Sequence, residues 1–139
     1  MDEGYRTFDH TGDLGLEVWA ETPERLHALA AIAVLAQVAE VREPTFEIRR
    51  ELSLDGDDSS DLFVHWLNSA LLEAELSNAI WCRATVVQVD ERSLEAVLEG
   101  PRRDPLRHVF LREIKAVSHH HLALALVPPD CRCRLILDL

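Results

Sequence analysis

Between Cys131 and Leu139 the side chains sort by parity. Successive residues of a strand point to opposite faces, so Cys131, Cys133, Leu135 and Leu137 share one face, and Arg132, Arg134, Ile136 and Asp138 share the other. A half-apolar strand of this kind belongs in a sheet with one side packed and the other in water. Leu14, Leu16, Val18 and Ala20 repeat the alternation, as do Phe46, Ile48, Leu52 and Leu54. Two stretches of helical period can cover the packed side. Thr22-Pro23 reads as an N-cap followed by proline in the first turn. The helix after it runs to about residue 40, with Leu26, Leu29, Ala30, Ala33, Val34 and Val38 as its stripe. Ser59 or Ser60 caps a second helix that carries Leu62, Trp66, Leu67, Ala70, Leu71 and Ala74 on one face and ends near Asn78.

The remaining segments read as strands. Residues 5–9 form a short one, and residues 80–88 and 94–98 form a hairpin across 89–93. Gly100-Pro101 and Asp104-Pro105 bound a polar loop. Residues 109–118, 122–127 and 131–139 complete the set, with Pro128-Pro129-Asp130 turning between the last two. The order is strand-strand-helix-strand-helix and then strands only. That predicts an α+β fold, two helices packed on a largely antiparallel sheet, in one domain spanning residues 1–139.

Charge narrows the partners. Net charge is −11, from 14 basic and 25 acidic residues, a balance that repels a phosphate backbone. Tight direct binding to nucleic acid is therefore not expected; a basic protein or a divalent cation fits better. The apolar runs are too short to span a bilayer, and the start, Met1-Asp2-Glu3-Gly4-Tyr5, has no signal-peptide character, so the expectation is a cytoplasmic protein without membrane association. Three cysteines, Cys82, Cys131 and Cys133, argue against a disulfide framework, and reduced core thiols are favoured over a C-x-C zinc site. Thirteen of the basic residues are arginine, and Lys115 is the one lysine. Codon bias accounts for the arginines, yet it leaves the solitary lysine marked.

Two places carry candidate chemistry. Asp9-His10-Thr11-Gly12-Asp13 sets two carboxylates and an imidazole at a strand end that turns back. Asp13 with another carboxylate would suit Ca²⁺, Mg²⁺ or Mn²⁺, while an Asx-type turn is the plain alternative. Asp138 is a carboxylate at the end of a strand that otherwise looks buried, where metal binding stands against solvent exposure or capping. His119-His120-His121 cannot all reach one ion in an extended chain; at most His119 and His121 could share one, or a turn could expose a single functional histidine. No nucleophile elbow, phosphate loop or dinucleotide fingerprint is present.

Four segments in order along the chain resemble the archease family. They are His10-Thr11-Gly12-Asp13, the Trp66-Leu67-Asn68 stretch of the second helix, Glu113-Ile114-Lys115-Ala116 running into Ser118-His119-His120, and the closing Leu137-Asp138. The resemblance implies nested strand-helix-strand-strand modules. It also implies a partner, the RtcB-type RNA-splicing ligase, whose guanylylation and repeated turnover archeases promote without being ligases themselves. By the same resemblance, Asp13 and Asp138 would bind a divalent ion, calcium being the one often assigned, with an oxygen of Leu139 as third ligand. Lys115 would serve activation, and His120 would be a neighbour of the site. Gly12 departs from the usual alanine and should loosen the turn. Ser118-His119 departs from Thr-Tyr, and His65 stands where an acidic residue is common. Two rival classes remain: a stand-alone divalent-metal hydrolase using Asp9, His10, Asp13 and residues 119–121, and a small-ligand module with a pocket between sheet and helices.

Overall fold

Every strand pairing in the computed structural model, which describes residues 2–139, is antiparallel. The elements are β1 (Gly4–His10), β2 (Asp13–Ala20), α1 (Pro23–Val38), β3 (Ala39–Val41), β4 (Ile48–Asp55) and α2 (Ser59–Leu76), followed by strands alone. These are β5 (Arg83–Val89), β6 (Ser93–Gly100), β7 (His108–Phe110), β8 (Ala116–Val117), β9 (Ala123–Ala125) and β10 (Cys131–Asp138). The expected α+β class holds, with the strands divided among three sheets. One runs β1-β2-β10-β8, with β9 also on β10; a second runs β4-β6-β5; β3 and β7 pair by themselves. The β4-α2-β5-β6 unit is a strand-helix-strand-strand module lying inside the span between α1 and β10, the nesting that the family resemblance implied.

Three local expectations change, each for a physical reason. The first helix stops at Val38, because residues 39–41 turn extended and pair with β7; inter-strand hydrogen bonds outweigh the helix propensity of Ala39 and Glu40. The strand expected over residues 109–118 is broken. Its first part joins β3 and its last part joins β10, in different sheets, so residues 111–115 lie outside both ladders, with the Leu111 N–H reaching the Val38 carbonyl and the Lys115 N–H that of Asp138. The N-cap of α2 is Asp58 rather than a serine. Its carboxylate accepts from the Asp61 backbone N–H at 2.8 Å, where an acceptor also faces the positive end of the helix.

The core sits where α1 meets both large sheets and α2. The stripe expected on α1 is too narrow: Ala28, Ala31 and Leu35 are buried along with Leu26, Ala30, Ala33 and Val34, so the helix is enclosed on nearly every side. Its alanines permit that close approach. Phe63, Trp66 and Trp81 fill the widest space, and both indoles find acceptors. Trp66 donates to the His27 carbonyl at 2.8 Å and Trp81 to the Ala70 carbonyl at 2.9 Å. Cys131 and Cys133 lie on the core face of β10 as free thiols. Burial pushes the Cys133 thiol up to about 12, so it stays protonated and is no ready metal ligand.

His27 supplies a test of this packing. It is 1% exposed, its Nδ1 lies 2.7 Å from the Pro23 carbonyl, and burial lowers its pKa below the ordinary 6.5. The folded protein resists protonation there while the unfolded chain does not. Stability is therefore expected to fall as pH drops below about 6.5, levelling once the folded-state pKa is passed. Urea midpoints measured across that range check it, and a His27→Gln variant is expected to show a flatter profile.

Candidate metal centre

The register of the five-stranded sheet brings the two ends of the chain to one rung. His10 pairs with Asp13 across the β1-β2 turn, Leu14 pairs with Leu137, and Asp138 pairs with Ala116. One step beyond Leu14 and Leu137 stand Asp13 and Asp138. Strand alternation puts His10, Asp13 and Asp138 on the face opposite the core, because Leu14, Leu16, Leu135 and Leu137 occupy the other. Directly opposed residues of this kind have Cβ atoms ~4.5–5.5 Å apart.

The hairpin that carries His10 and Asp13 depends on two glycines. Gly12 stands at φ 75 in the turn, where a Cβ would be strained; glycine suits this turn rather than loosening it. Gly15 lies under the Phe8 ring so closely that an added Cβ would come within 2.1 Å of it. The Arg134 guanidinium covers the same ring at 3.9 Å and also reaches Glu17, which Arg6 pairs at 2.7 Å.

Residues 115–118 reach the site through backbone hydrogen bonds. The Lys115 N–H donates to the Asp138 carbonyl at 2.8 Å, and the Ser118 N–H donates to that of Ile136 at 3.2 Å. From α2, the Asn68 carboxamide brackets Val117: it donates to the Val117 carbonyl at 3.1 Å and accepts from its N–H at 2.8 Å. The exposed Lys115 side chain lies at the edge of an open groove of about 1030 Å³, which Asn68, Leu72, Phe110 and Arg112 also line.

The histidine triplet forms a turn, with His121 at φ 63. The pairing differs from the expected one, because a turn does not alternate faces. His120 and His121 come together with ring centroids 4.1 Å apart, and His121 in turn meets His10 at 5.4 Å. His119 points elsewhere, its Nε2 lying 3.9 Å from Asp61 Oδ1. Asp9 pairs with Leu14, so it lies on the face away from His10 and Asp13, and the constellation assumed for a hydrolase is not formed. The space beside α2 is the open groove lined by that helix and residues 110–116.

Two carboxylates on adjacent strands and one face are oxygen donors of the kind hard divalent ions take, and Leu139 follows directly, half-exposed. His10 Nδ1 is buried without a hydrogen-bond partner, with Asp13 Oδ2 3.9 Å away. As the side chains stand, no group of three His, Cys, Asp or Glu residues converges closely enough to hold an ion among the described residues. Sequence reasoning did not find the Asn68 bracket or the contact of His121 with His10, since each depends on residues far apart in the chain.

Known proteins of one family resemble this chain over nearly its whole length. The model of the Archease protein family (MTH1598/TM1083) matches residues 5–139. Protein archease of Methanosarcina mazei is 27% identical over 139 residues, covering 97% of this chain and 95% of that one. Protein archease of Methanopyrus kandleri is 28% identical over 121 residues, 85% and 86% of the two chains. The solution structure of Methanobacterium thermoautotrophicum protein 1598 superposes with a TM-score of 0.80 at 22% identity, covering 98% of this chain and 99% of that one; this likeness establishes the fold.

Replacing Asn68 with alanine strands both backbone groups of Val117. A loss of about 1–3 kcal/mol is expected from the urea midpoint, together with faster hydrogen exchange at the Val117 amide than at the amides of β2.

Proposed function

The chain belongs to the archease family, and from that premise we propose that it is a metal-binding accessory protein that activates an RtcB-type RNA ligase in tRNA splicing or RNA repair, without being an enzyme itself. The observation that carries this reading is the meeting of Asp13, Asp138 and residues 115–118 at one end of one sheet. Asp13 and Asp138, with an oxygen of Leu139, would hold the divalent ion. When bound, that ion supplies concentrated positive charge and an oxygen-seeking coordination shell at the tip of the protein.

The chain's own residues supply the rest. The two carboxylates set where the charge sits, and their strands keep them fixed against the core. Lys115 is exposed one residue from β8, its backbone tied to Asp138, and so offers a point charge to a phosphate or a carboxylate of the ligase. A net charge of −11 favours docking on a basic surface of the kind an RNA-handling ligase needs, and disfavours competition from free RNA. Among the described residues no helix is long and apolar enough to cross a membrane.

The test is guanylylation of an RtcB-type ligase by GTP with Mn²⁺ or Mg²⁺, with and without this protein. Stimulation is expected, with no RNA joining or phosphoester cleavage by the protein alone. Asp13→Ala and Asp138→Ala are each expected to return the rate to that of the ligase alone, with unchanged thermal transitions, and Lys115→Ala to reduce it severely. Full stimulation by a folded Asp13→Ala, Asp138→Ala double variant would overturn the proposal.

A further inference from the structure

The groove beside α2 gathers three cations without a carboxylate partner. Elsewhere Arg6, Arg25, Arg49, Arg83 and Arg134 each pair with a glutamate. Arg103, Arg112 and Lys115 line the groove and form no ion pair among the described residues, although Glu75 and Glu113 line it too. Neutral acceptors hold the two guanidiniums instead. Arg103 donates from Nε to the Ala79 carbonyl at 3.0 Å, and Arg112 donates from Nη1 to the Gln37 carbonyl at 2.8 Å. A guanidinium has more N–H donors than these bonds use, so each keeps some for a further acceptor. The same groove carries exposed apolar side chains: Leu72, Phe110 and Leu111 are 55%, 44% and 41% exposed. Neighbouring exposed apolar side chains rimmed by charge mark a surface that another molecule covers. The stretch between β7 and β8 that walls the groove belongs to no ladder, and the N–H groups of Arg112, Glu113 and Ile114 donate to no group among the described residues. Free backbone donors of this kind are what an added strand takes up. An open groove of about 1030 Å³ covers one side of a chain rather than enclosing a small molecule.

We propose that this groove docks a short extended segment of a partner protein in which acidic residues alternate with large apolar ones. Its carboxylates answer Arg103, Arg112 and Lys115, its apolar side chains cover Leu72, Phe110 and Leu111, and its backbone carbonyls accept from residues 112–114. Charge complementarity selects this occupant. A basic segment would meet the three cations here, and it would be drawn instead to the rest of a surface whose net charge is −11. A nucleic-acid strand would meet Glu75 and Glu113 within the groove and that same net charge around it. A second copy of so acidic a chain carries the same overall repulsion. Docking here is separate from the ion reading, since neither Asp13 nor Asp138 lines the groove.

The experiment selects random peptides displayed on phage against the full chain, with counter-selection on a Leu72→Asp, Arg112→Glu double variant. Survivors are expected to be rich in aspartate and glutamate set between leucine, isoleucine or phenylalanine. A synthetic peptide of the enriched sequence, titrated into ¹⁵N-labelled protein, is expected to move the amides of residues 110–116 and of the groove face of α2. Leu72→Asp and Arg112→Glu are each expected to weaken it roughly tenfold or more, and added salt to weaken it further. Both side chains are exposed, and amide spectra of each variant establish that it is folded. Survivors that are basic, or none that distinguish the parent from the double variant, would overturn the proposal. So would a single-stranded RNA oligonucleotide that moves the same amides more strongly, or shifts of those amides on dilution of the protein alone, which would assign the groove to a second copy. Ligase stimulation is no part of this readout, so a failure here leaves the carboxylate reading untouched.

Discussion

The two hydrogen bonds between the Asn68 carboxamide and Val117 hold together the end of the sheet that carries Asp13 and Asp138. Strand β8 is two residues long, too short to stand by pairing alone. Asn68 gives it a second set of backbone partners from the side of α2. The position of α2 is fixed in turn by Trp66, which reaches the His27 carbonyl on α1, and by its own Ala70 carbonyl, which accepts from Trp81 ahead of β5. A line of contacts thus runs from the indoles of the core, through one carboxamide, to the backbone that sets Lys115 beside Asp138.

The same register that gathers the carboxylates also separates them from the arginines. Two rungs from the end, Glu17 lies between Arg6 and Arg134, and its charge is matched in exposed ion pairs of the kind that add little stability. The intervening rung is apolar: Phe8, Gly15 and Ile136, closed over by the Arg134 guanidinium. At the end rung, Asp13 and Asp138 have no arginine beside them. One sheet face therefore presents paired charge, then an apolar spacer, then two carboxylates without an arginine partner. Gly15 permits the spacer, since any side chain there would displace the Phe8 ring.

Nesting gives the site its composition. With β4-α2-β5-β6 inserted as a self-contained module, the first two strands and the last strand become neighbours, and donors more than a hundred residues apart share a rung. The helix count, the covered sheet and the antiparallel class were all legible in residue periodicity, because burial of one face imposes period 2 on strands and a stripe on helices. Asp13 and Asp138 were legible as carboxylates at element ends, and Lys115 as the solitary lysine. Periodicity did not show their assembly, which only the family resemblance implied, and it did not show the break at residues 111–115. Both depend on which strand pairs with which, and hydrogen bonds between backbones carry no mark in the side-chain sequence.

The division follows from the range of the forces involved. Alternation in Cys131–Asp138, the Thr22-Pro23 helix start and the acidic balance of the whole chain are local or additive properties, and the sequence determined them by itself. Tertiary structure decided that α1 is enclosed on nearly all sides, that the histidine triplet turns so that His121 meets His10 while His119 faces Asp61, and that Asp13 lies next to Asp138. Each of these is a relation between surfaces that meet only after the sheets have formed, and strand register, accurate to one residue, fixes which side chains meet.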